Sequence, residues 1–486
     1  MRTPRRWLLG FLLVANLHVV AVAGAAPTVE GPITGNGSPL LLGTTLFPLA
    51  DVGYEQVEFF IGGTATAYGS AVPLTSDGNW TVTPAETAAY KTRLLVYRPI
   101  DPKQFKGTVL VEWFNVSGGL EAGPDWIAAH TEMVREGMIW VGVSAQYLGV
   151  EGGPGGGLLD ISLKKNNPAR YGSLAHPGDS YSYDIYSQAG EALRLPAETN
   201  PLGDADVKRV IAIGESQSAF RLTTYINAVH PLAQVYDGFL VHSRGGNGER
   251  LSQDPLPEIT APIPTYIRTD LTVPVLTFQT ETDLTTLNFF PSRQDDTKYF
   301  RLWEVAGTAH ADLYTLLTGM QDRGDSPDVV AVTEVASPIP GIIECALPVN
   351  AGPQHFVLDA AVAALERWVR TGKPPRAAPR LVMVTDPAVA FVRDEHGNAL
   401  GGIRTPWVDA PIATLSGGGQ SGGGFCFIFG TTMLFDEPKL AALYPTRKAF
   451  VKPYKKSMKR ALKQGFLRKA DTKLMAAWLE ASDIGN

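Results

Sequence analysis

The sequence predicts an α/β fold in which a mostly parallel central sheet of about eight strands is flanked by helices. From about residue 100 onward, short apolar runs bounded by turn residues alternate with amphipathic stretches. This alternation is typical of parallel strands that are joined by crossover helices. The 486 residues, of which 44% are hydrophobic and 19% charged, are enough to bury a large core. We therefore expect one large globular domain with lid-like insertions and a C-terminal extension.

Eight apolar runs are predicted to be strands of this sheet. Two β-type runs at 56–61 and 92–98 resemble antiparallel opening strands. Each of the six runs that follow is short and bounded by turns: 108–114, 139–144, 207–213, 238–242, 275–280 and 300–305. Helices are predicted where apolar residues recur at helical spacing: from Pro124 to Gly137 and at 181–195, 217–229 and 354–371.

The composition divides the chain behind its N-terminal leader into three parts. Residues 24–54 are predicted to be an N-terminal extension, residues 55–374 the core, and residues 375–486 a C-terminal extension. Within the core, residues 147–180 and 245–273 do not follow the alternation of strands and helices and are predicted to be insertions. Long connections of this kind tend to be lids or binding loops, and these two follow predicted strand ends.

Residues 1–23 are predicted to be a secretory signal peptide. Arg2, Arg5 and Arg6 precede an uncharged apolar run that ends near Ala23. A basic start, an apolar middle and small residues at the end are typical of a cleaved signal. The alternative is an uncleaved anchor, because the run is slightly long for a signal core yet short for a full span. We expect a secreted or periplasmic protein with no stable membrane span after cleavage.

The charge balance and the pattern of ligand-type residues exclude several classes of function. Cleavage would change the formal net charge from −6 to −9, so nucleic acid is not an expected partner. The sequence has neither an HExxH motif nor a paired cluster of histidines and carboxylates, so we expect no metal and no cofactor. Cys345 and Cys426 are equally able to pair or to stay free in an exported chain.

Ser216 is the candidate nucleophile. It lies in GESQSAF, which follows the predicted strand 207–213 and opens a predicted helix. A G-x-S-x-small turn in this context pushes the serine hydroxyl out, and the helix behind it offers free N–H groups to an anion. The structural alternative is a serine that caps the helix.

A nucleophilic serine needs a histidine base and an acid that orients it. His310 follows the predicted strand YFRLWEV and the small-residue turn AGTAH. The preceding strand ends in QTETDL, which carries Glu281 and Asp283. We prefer Asp283 as the acid because its spacing from the strand end lets the loop turn back toward His310. Glu281 is the rival.

These motifs resemble the α/β-hydrolase superfamily, and in particular a branch of large bacterial α/β-hydrolase domain proteins. The resemblance spans most of residues 55–480. It rests on VEWFNVSGG, VGVSAQ, RYGSLAHPGDSYSYDIYSQ, GESQSAF and QTETDL, together with the chain order of serine, acid and histidine. The resemblance implies an esterase-like activity and does not fix the substrate.

An oxyanion hole needs two N–H donors, one of them usually on the residue after the nucleophile. That residue is Gln217. The second donor is expected in NVSGG, after the strand 108–114, which nominates Asn115 or Val116.

Four residues at or just beyond predicted strand ends are candidates to line a substrate pocket. They are Trp113, Trp126, Gln146 and Tyr147. A place in the core fits each of them equally well.

The sequence therefore predicts a secreted serine hydrolase that cleaves a small-molecule carboxylic ester through an acyl-enzyme. The same three residues would also cleave amides or lactones. A non-catalytic binding protein built on the same fold is the alternative from another class.

Overall fold

The computed structural model describes residues 26–40, 43–153, 159–194 and 199–486. The predicted signal peptide, residues 1–23, lies outside the described residues. Among the helices of the described ranges, none has both the length and the apolar character that crossing a bilayer requires.

The strands form one large sheet, β1 to β9, and two small two-stranded sheets, β10 with β11 and β12 with β13. Their bounds are β1 Thr28–Glu30, β2 Tyr54–Gly69, β3 Thr83–Pro99, β4 Thr108–Trp113, β5 Ile139–Val143, β6 Arg209–Glu215, β7 Gly238–His242, β8 Val275–Gln279, β9 Phe300–Glu304, β10 Met383–Val384, β11 Ala390–Phe391, β12 Ala413–Ser416 and β13 Thr431–Leu434.

The large sheet has the order β1-β2-β3-β5-β4-β6-β7-β8-β9. The pairs from β5 through β9 are parallel, whereas β1, β2 and β3 pair antiparallel with their neighbours. The predicted class, a mostly parallel sheet flanked by helices, is confirmed. One strand of this sheet was not predicted: β1, within the N-terminal extension, pairs with β2 at the edge of the sheet. It has three residues, too few to give a hydrophobic pattern.

The six predicted parallel strands agree with the structure to within two residues at each end. β4, TVLVEW, is buried at every position, which explains why it is a continuous apolar run rather than an alternating one. The opening strands β2 and β3 are longer than predicted, at 16 and 17 residues. Their outer halves, which carry Thr, Ala and Gly, pair with each other and lack the apolar run that marks the inner halves.

Thirteen α-helices lie within the described ranges. Their bounds are α1 Pro124–Arg135, α2 Tyr147–Glu151, α3 Leu163–Asn166, α4 Pro168–Tyr171, α5 Ser182–Ala192, α6 Gln217–Thr224, α7 His230–Ala233, α8 Glu281–Thr285, α9 Gln354–Thr371, α10 Pro406–Asp409, α11 Glu437–Leu443, α12 Arg447–Gln464 and α13 Lys469–Ala481. Short 3-10 turns occur at Leu49–Val52, Pro102–Gln104, Asp179–Tyr181, Phe290–Ser292, Gly319–Gln321, Pro327–Val330 and Cys426–Ile428, and π-type turns at Tyr225–Val229 and Tyr314–Thr318.

The two predicted insertions in the core, residues 147–180 and 245–273, differ from each other in secondary structure. Residues 147–180 contain the short helices α2 to α4, so this insertion is not an irregular loop. Residues 245–273, all of them described, contain no helix or strand. The predicted helix 217–229 is α6 followed by the π-type turn Tyr225–Val229.

Two hydrophobic clusters cover the two faces of the sheet. One includes side chains of α5 and α6, such as Ile185 and Leu222. The other includes α1 and α9 together with C-terminal side chains such as Phe450 and Met475. The C-terminal extension therefore packs on the same sheet as α1 and α9. Cys345 and Cys426 form a disulfide.

Candidate active site

Ser216 lies in the turn between β6 and α6, at the carboxyl edge of the sheet. Its backbone adopts φ 57° and ψ −123°, a conformation that a non-glycine residue rarely takes. The Ser216 N–H donates to the His242 carbonyl on β7 at 2.9 Å. A Cβ atom at Gly214 would lie 3.1 Å from both Leu222 Cδ1 and Ser218 Cβ. The strand and the helix can therefore approach this closely because residue 214 is glycine.

The structure brings Ser216, His310 and Asp283 together. His310 Nε2 lies 2.7 Å from Ser216 Oγ, and His310 Nδ1 lies 2.7 Å from Asp283 Oδ1. In this arrangement the serine hydroxyl donates to Nε2, and the Nδ1–H donates to the carboxylate. The geometry can therefore remove a proton from the serine and hold the resulting imidazolium.

Asp283 is fixed by the start of the short helix α8. Its Oδ2 accepts the Thr280 N–H at 2.6 Å, at the residue that precedes the helix. The other oxygen, Oδ1, remains for His310. Because one oxygen is bound to the backbone, the carboxylate has little freedom to rotate away from the imidazole.

The rival acid Glu281 holds a different part of the structure. Its Oε1 accepts the Gly307 N–H at 2.7 Å, and its Oε2 accepts from Gly417 N–H at 3.2 Å and Arg393 Nη2 at 3.3 Å. Burial raises the pKa of Glu281, and Arg393 opposes that rise. The Glu281 carboxylate therefore links the loop after β9 to the C-terminal extension.

The two nominated second donors of the oxyanion hole differ. The Asn115 N–H donates to the Ala122 carbonyl at 3.0 Å in a backbone bridge. It is therefore not available to an oxyanion, and the prediction of Asn115 as a donor is corrected. The Val116 N–H has no acceptor within the described ranges. Gln217 is the first residue of α6, so its N–H has no acceptor in that helix. The available pair of donors is therefore Gln217 and Val116.

The four nominated pocket residues are mostly interior. Trp113 and Trp126 belong to the hydrophobic clusters on the two faces of the sheet and are 0% and 1% exposed. Gln146 is also buried, where its Oε1 accepts the indole N–H of Trp113 at 3.0 Å. Tyr147 is 42% exposed. For the two tryptophans the structure supports the core alternative and not the pocket, because their rings fill the space between sheet and helices.

Glu215 is a site residue that the sequence reasoning missed. Its Oε1 lies 3.3 Å from His310 Nε2, and its Oε2 accepts from Asn115 Nδ2 at 3.3 Å. Burial raises the pKa of Glu215 to about 7, although His310 and the nearby His242 oppose the rise. The signal was present in the sequence: a carboxylate directly precedes the serine at the end of a strand.

The charges around His310 favour its protonated form. Burial lowers the pKa of His310, but the charge of Glu215 and the hydrogen bond that His310 donates to Asp283 outweigh it, so the pKa is raised overall. Glu215 and His310 therefore compete for one proton close to Ser216. Within the described ranges, no group of three or more His, Cys, Asp or Glu side chains is placed to hold a metal ion.

Comparisons with solved structures and with protein families found several similar proteins. The chain is similar to dienelactone hydrolase from Anabaena variabilis, with 14% identity and a TM-score of 0.25 over 44% of this chain and 80% of that one. It is also similar to acetyl xylan esterase 1 from Thermoanaerobacterium sp., with 10% identity and a TM-score of 0.29 over 57% and 81%. For Est1E from Butyrivibrio proteoclasticus the identity is 10% and the TM-score 0.26, over 51% and 90%.

These TM-scores are low, so the assignment rests on the family model instead. No curated protein matches the chain by sequence. The model described as "Alpha/beta hydrolase domain" matches residues 29–477. Because this match covers most of the sequence, the chain belongs to the alpha/beta hydrolase domain family.

Proposed function

We propose that the protein is a serine hydrolase that cleaves carboxylic esters through an acyl-enzyme on Ser216. The observation that carries the proposal is the continuous chain of contacts from Ser216 Oγ through His310 to Asp283, with 2.7 Å at each step. It supports nucleophilic catalysis because nucleophile, base and orienting acid are each within hydrogen-bond reach of the next.

In the first half of the proposed reaction, Ser216 Oγ attacks the ester carbonyl carbon while His310 Nε2 takes the hydroxyl proton. The carbonyl oxygen becomes an oxyanion, which the N–H groups of Gln217 and Val116 stabilise. The tetrahedral intermediate then collapses. The bond to the alkoxy group breaks, His310 gives its proton to the leaving alcohol, and the acyl group stays on Ser216.

Water completes the proposed cycle. His310 takes a proton from the water as the water oxygen attacks the acyl carbon, and the same donors hold the second oxyanion. The bond to Ser216 Oγ then breaks as Oγ regains a proton from His310, which releases the carboxylic acid. The Asp283 carboxylate accepts from His310 Nδ1–H and stabilises the imidazolium formed in each half.

A fluorophosphonate probe tests the nucleophile directly, because it reacts with an activated serine and needs no knowledge of the substrate. We expect stoichiometric labelling of the purified protein and a modified peptide that contains Ser216. The Ser216→Ala variant should not be labelled, whereas Ser326→Ala, at a serine that caps a short 3-10 turn, should be labelled at the normal rate. Labelling at another serine would refute the assignment.

We also propose that the protein is exported and loses its leader. The arginines ahead of the apolar run motivate this, and the disulfide between Cys345 and Cys426 supports an oxidising compartment. Mass spectrometry of the purified native protein should find an N-terminus at residue 24 or, as a second choice, just after Ala25. An intact Met1 on protein extracted from membranes would favour the anchor instead.

A further inference from the structure

A second buried pair of histidine and aspartate lies close to the proposed catalytic residues. His242 Nδ1 is 2.8 Å from Asp125 Oδ1, and both side chains are almost completely buried. His242 is the last residue of β7, and Asp125 lies in the first turn of α1. The proposed reaction uses neither residue.

This pair lies next to Glu215. β6 and β7 are parallel, and their register places Glu215 directly opposite His242. Residues opposite each other in a sheet project to the same face, so the Glu215 and His242 side chains are neighbours. Glu215 Oε1 is also 3.3 Å from His310 Nε2. Glu215 is therefore a neighbour of two histidines, each paired with its own aspartate.

Gln354, the first residue of α9, connects the two histidines. Its Nε2 lies 3.0 Å from His242 Nε2 and 3.4 Å from the His310 carbonyl oxygen. When His242 is neutral, its Nε2 accepts from this NH₂ and its single proton is on Nδ1, where it donates to Asp125. Protonation of Nε2 would require Gln354 to turn its Oε1 toward His242. That oxygen has no partner among the residues that the structure describes.

Several charged groups face this pair. On the Asp125 side, Glu112 of β4 accepts the Asp125 N–H at 2.8 Å, and burial and the charge of Asp125 raise the pKa of Glu112. The pKa of His242 is lowered by burial, but the hydrogen bond and charge of Asp125, with the charges of Glu215 and Asp283, raise it overall. Asp312, from the loop after His310, also faces His242. The positive charge of His242 lowers the pKa of Glu215, and the charge of Asp125 raises it. The effect of His242 is the larger of the two.

We propose that His242 and Asp125 are positioning residues for the reaction proposed above. The His242 imidazolium, held by Asp125, keeps Glu215 ionised and so sets the pH range in which His310 can act as a base. This inference rests on the proposed function.

The proposal follows from the proton that Glu215 and His310 share. While that proton is bound, His310 Nε2 is either charged or occupied by the protonated Glu215 carboxyl, and it cannot take the proton of Ser216. Activity therefore appears as the pair loses its proton. A positive charge on His242 favours this loss, because it repels the proton. Removing the charge raises the apparent pKa of the pair.

The pH dependence of kcat/KM on a simple ester tests this, with His242→Gln as the variant. We expect its acid limb to lie at higher pH than that of the wild type, with kcat/KM on that limb lower by about threefold to tenfold. At high pH the two enzymes should differ little. His230→Gln is the matched control, because His230 is also buried but faces Arg268 and Asp237. It should leave the acid limb unchanged.

The Glu215→Gln background separates positioning from a general structural effect. The charges that act on His310 are those of Glu215 and Asp283, so His242→Gln should no longer move the limb when Glu215 is already neutral. If His242→Gln does not fold, Asp125→Asn serves instead and should move the limb in the same direction. This follows because His242 loses the partner that keeps it charged.

Coincident acid limbs for wild type and His242→Gln would overturn the proposal. An equal shift in the Glu215→Gln background, or an equal shift in His230→Gln, would overturn it as well. Failure of the proposed function would look different, since Ser216→Ala would then keep its turnover and the probe would label another residue.

Discussion

Ser216→Ala and His310→Ala should each lower kcat on a simple ester by about 10⁴-fold to 10⁶-fold. Without the serine no acyl-enzyme forms, and without the imidazole nothing within 2.7 Å of Ser216 Oγ removes its proton. The double variant should be little worse than either single one, because the residues act as one unit. Steady-state kinetics on p-nitrophenyl esters of graded chain length would measure the loss and define the acyl preference.

The controls for this experiment are structural. Both alanine variants should keep the near-ultraviolet circular dichroism of the wild type, so that the loss of turnover is not a loss of fold. Independent losses that multiply in the double variant would contradict a joint mechanism. A Ser216→Ala enzyme that keeps even one tenth of the activity would exclude Ser216 as the nucleophile.

The second large effect concerns the acid, where Asp283→Asn and Glu281→Gln should behave differently. The amide introduced by Asp283→Asn could accept a hydrogen bond from His310 but could not offset the charge of the imidazolium, and it can stabilise the wrong tautomer. We expect a loss of about 10⁴-fold in kcat. Glu281→Gln should keep near-normal kcat at low temperature, because its carboxylate bonds Gly307, Gly417 and Arg393.

Thermal unfolding supplies the complementary measurement. Glu281→Gln leaves the Arg393 guanidinium without its carboxylate and one backbone N–H with a poorer acceptor, which should cost about 1–3 kcal/mol in the free energy of unfolding. Asp283→Asn should unfold closer to the wild-type temperature. If Glu281→Gln is the crippling change and Asp283→Asn keeps its turnover, the acid assignment is wrong.

Local patterns predicted the sheet well. Each parallel strand is buried on both faces, so it appears in the sequence as a short apolar run, and the strand ends are marked by turn residues. The same strand ends carry Ser216, Asp283 and His310. The carboxyl ends of parallel strands meet at one edge, so their proximity could be expected from chain order alone.

Features that depend on distant partners could not be predicted. The Asn115 N–H is unavailable because the chain turns back to pair it with Ala122, and no local pattern indicates that bridge. Glu215 and His242 are 27 positions apart, and their contact depends on the register of two strands. The hydrogen bonds from Gly417 and Arg393 to Glu281 join segments more than 100 residues apart. In each case the residue is visible in the sequence, whereas its partner is determined by the tertiary packing.

The hydrogen bond between α8 and the C-terminal extension has a consequence for the chain during its synthesis. Thr282 Oγ1 accepts the His310 N–H at 3.2 Å and donates to the Gly417 carbonyl at 2.6 Å, so residues from three distant segments meet at one hydroxyl. During synthesis, the segments that carry Ser216, Asp283 and His310 leave the ribosome long before residue 417 does. The three side chains are therefore synthesised before the residue that supports them, and we expect the site to be aligned only after the C-terminal extension has folded.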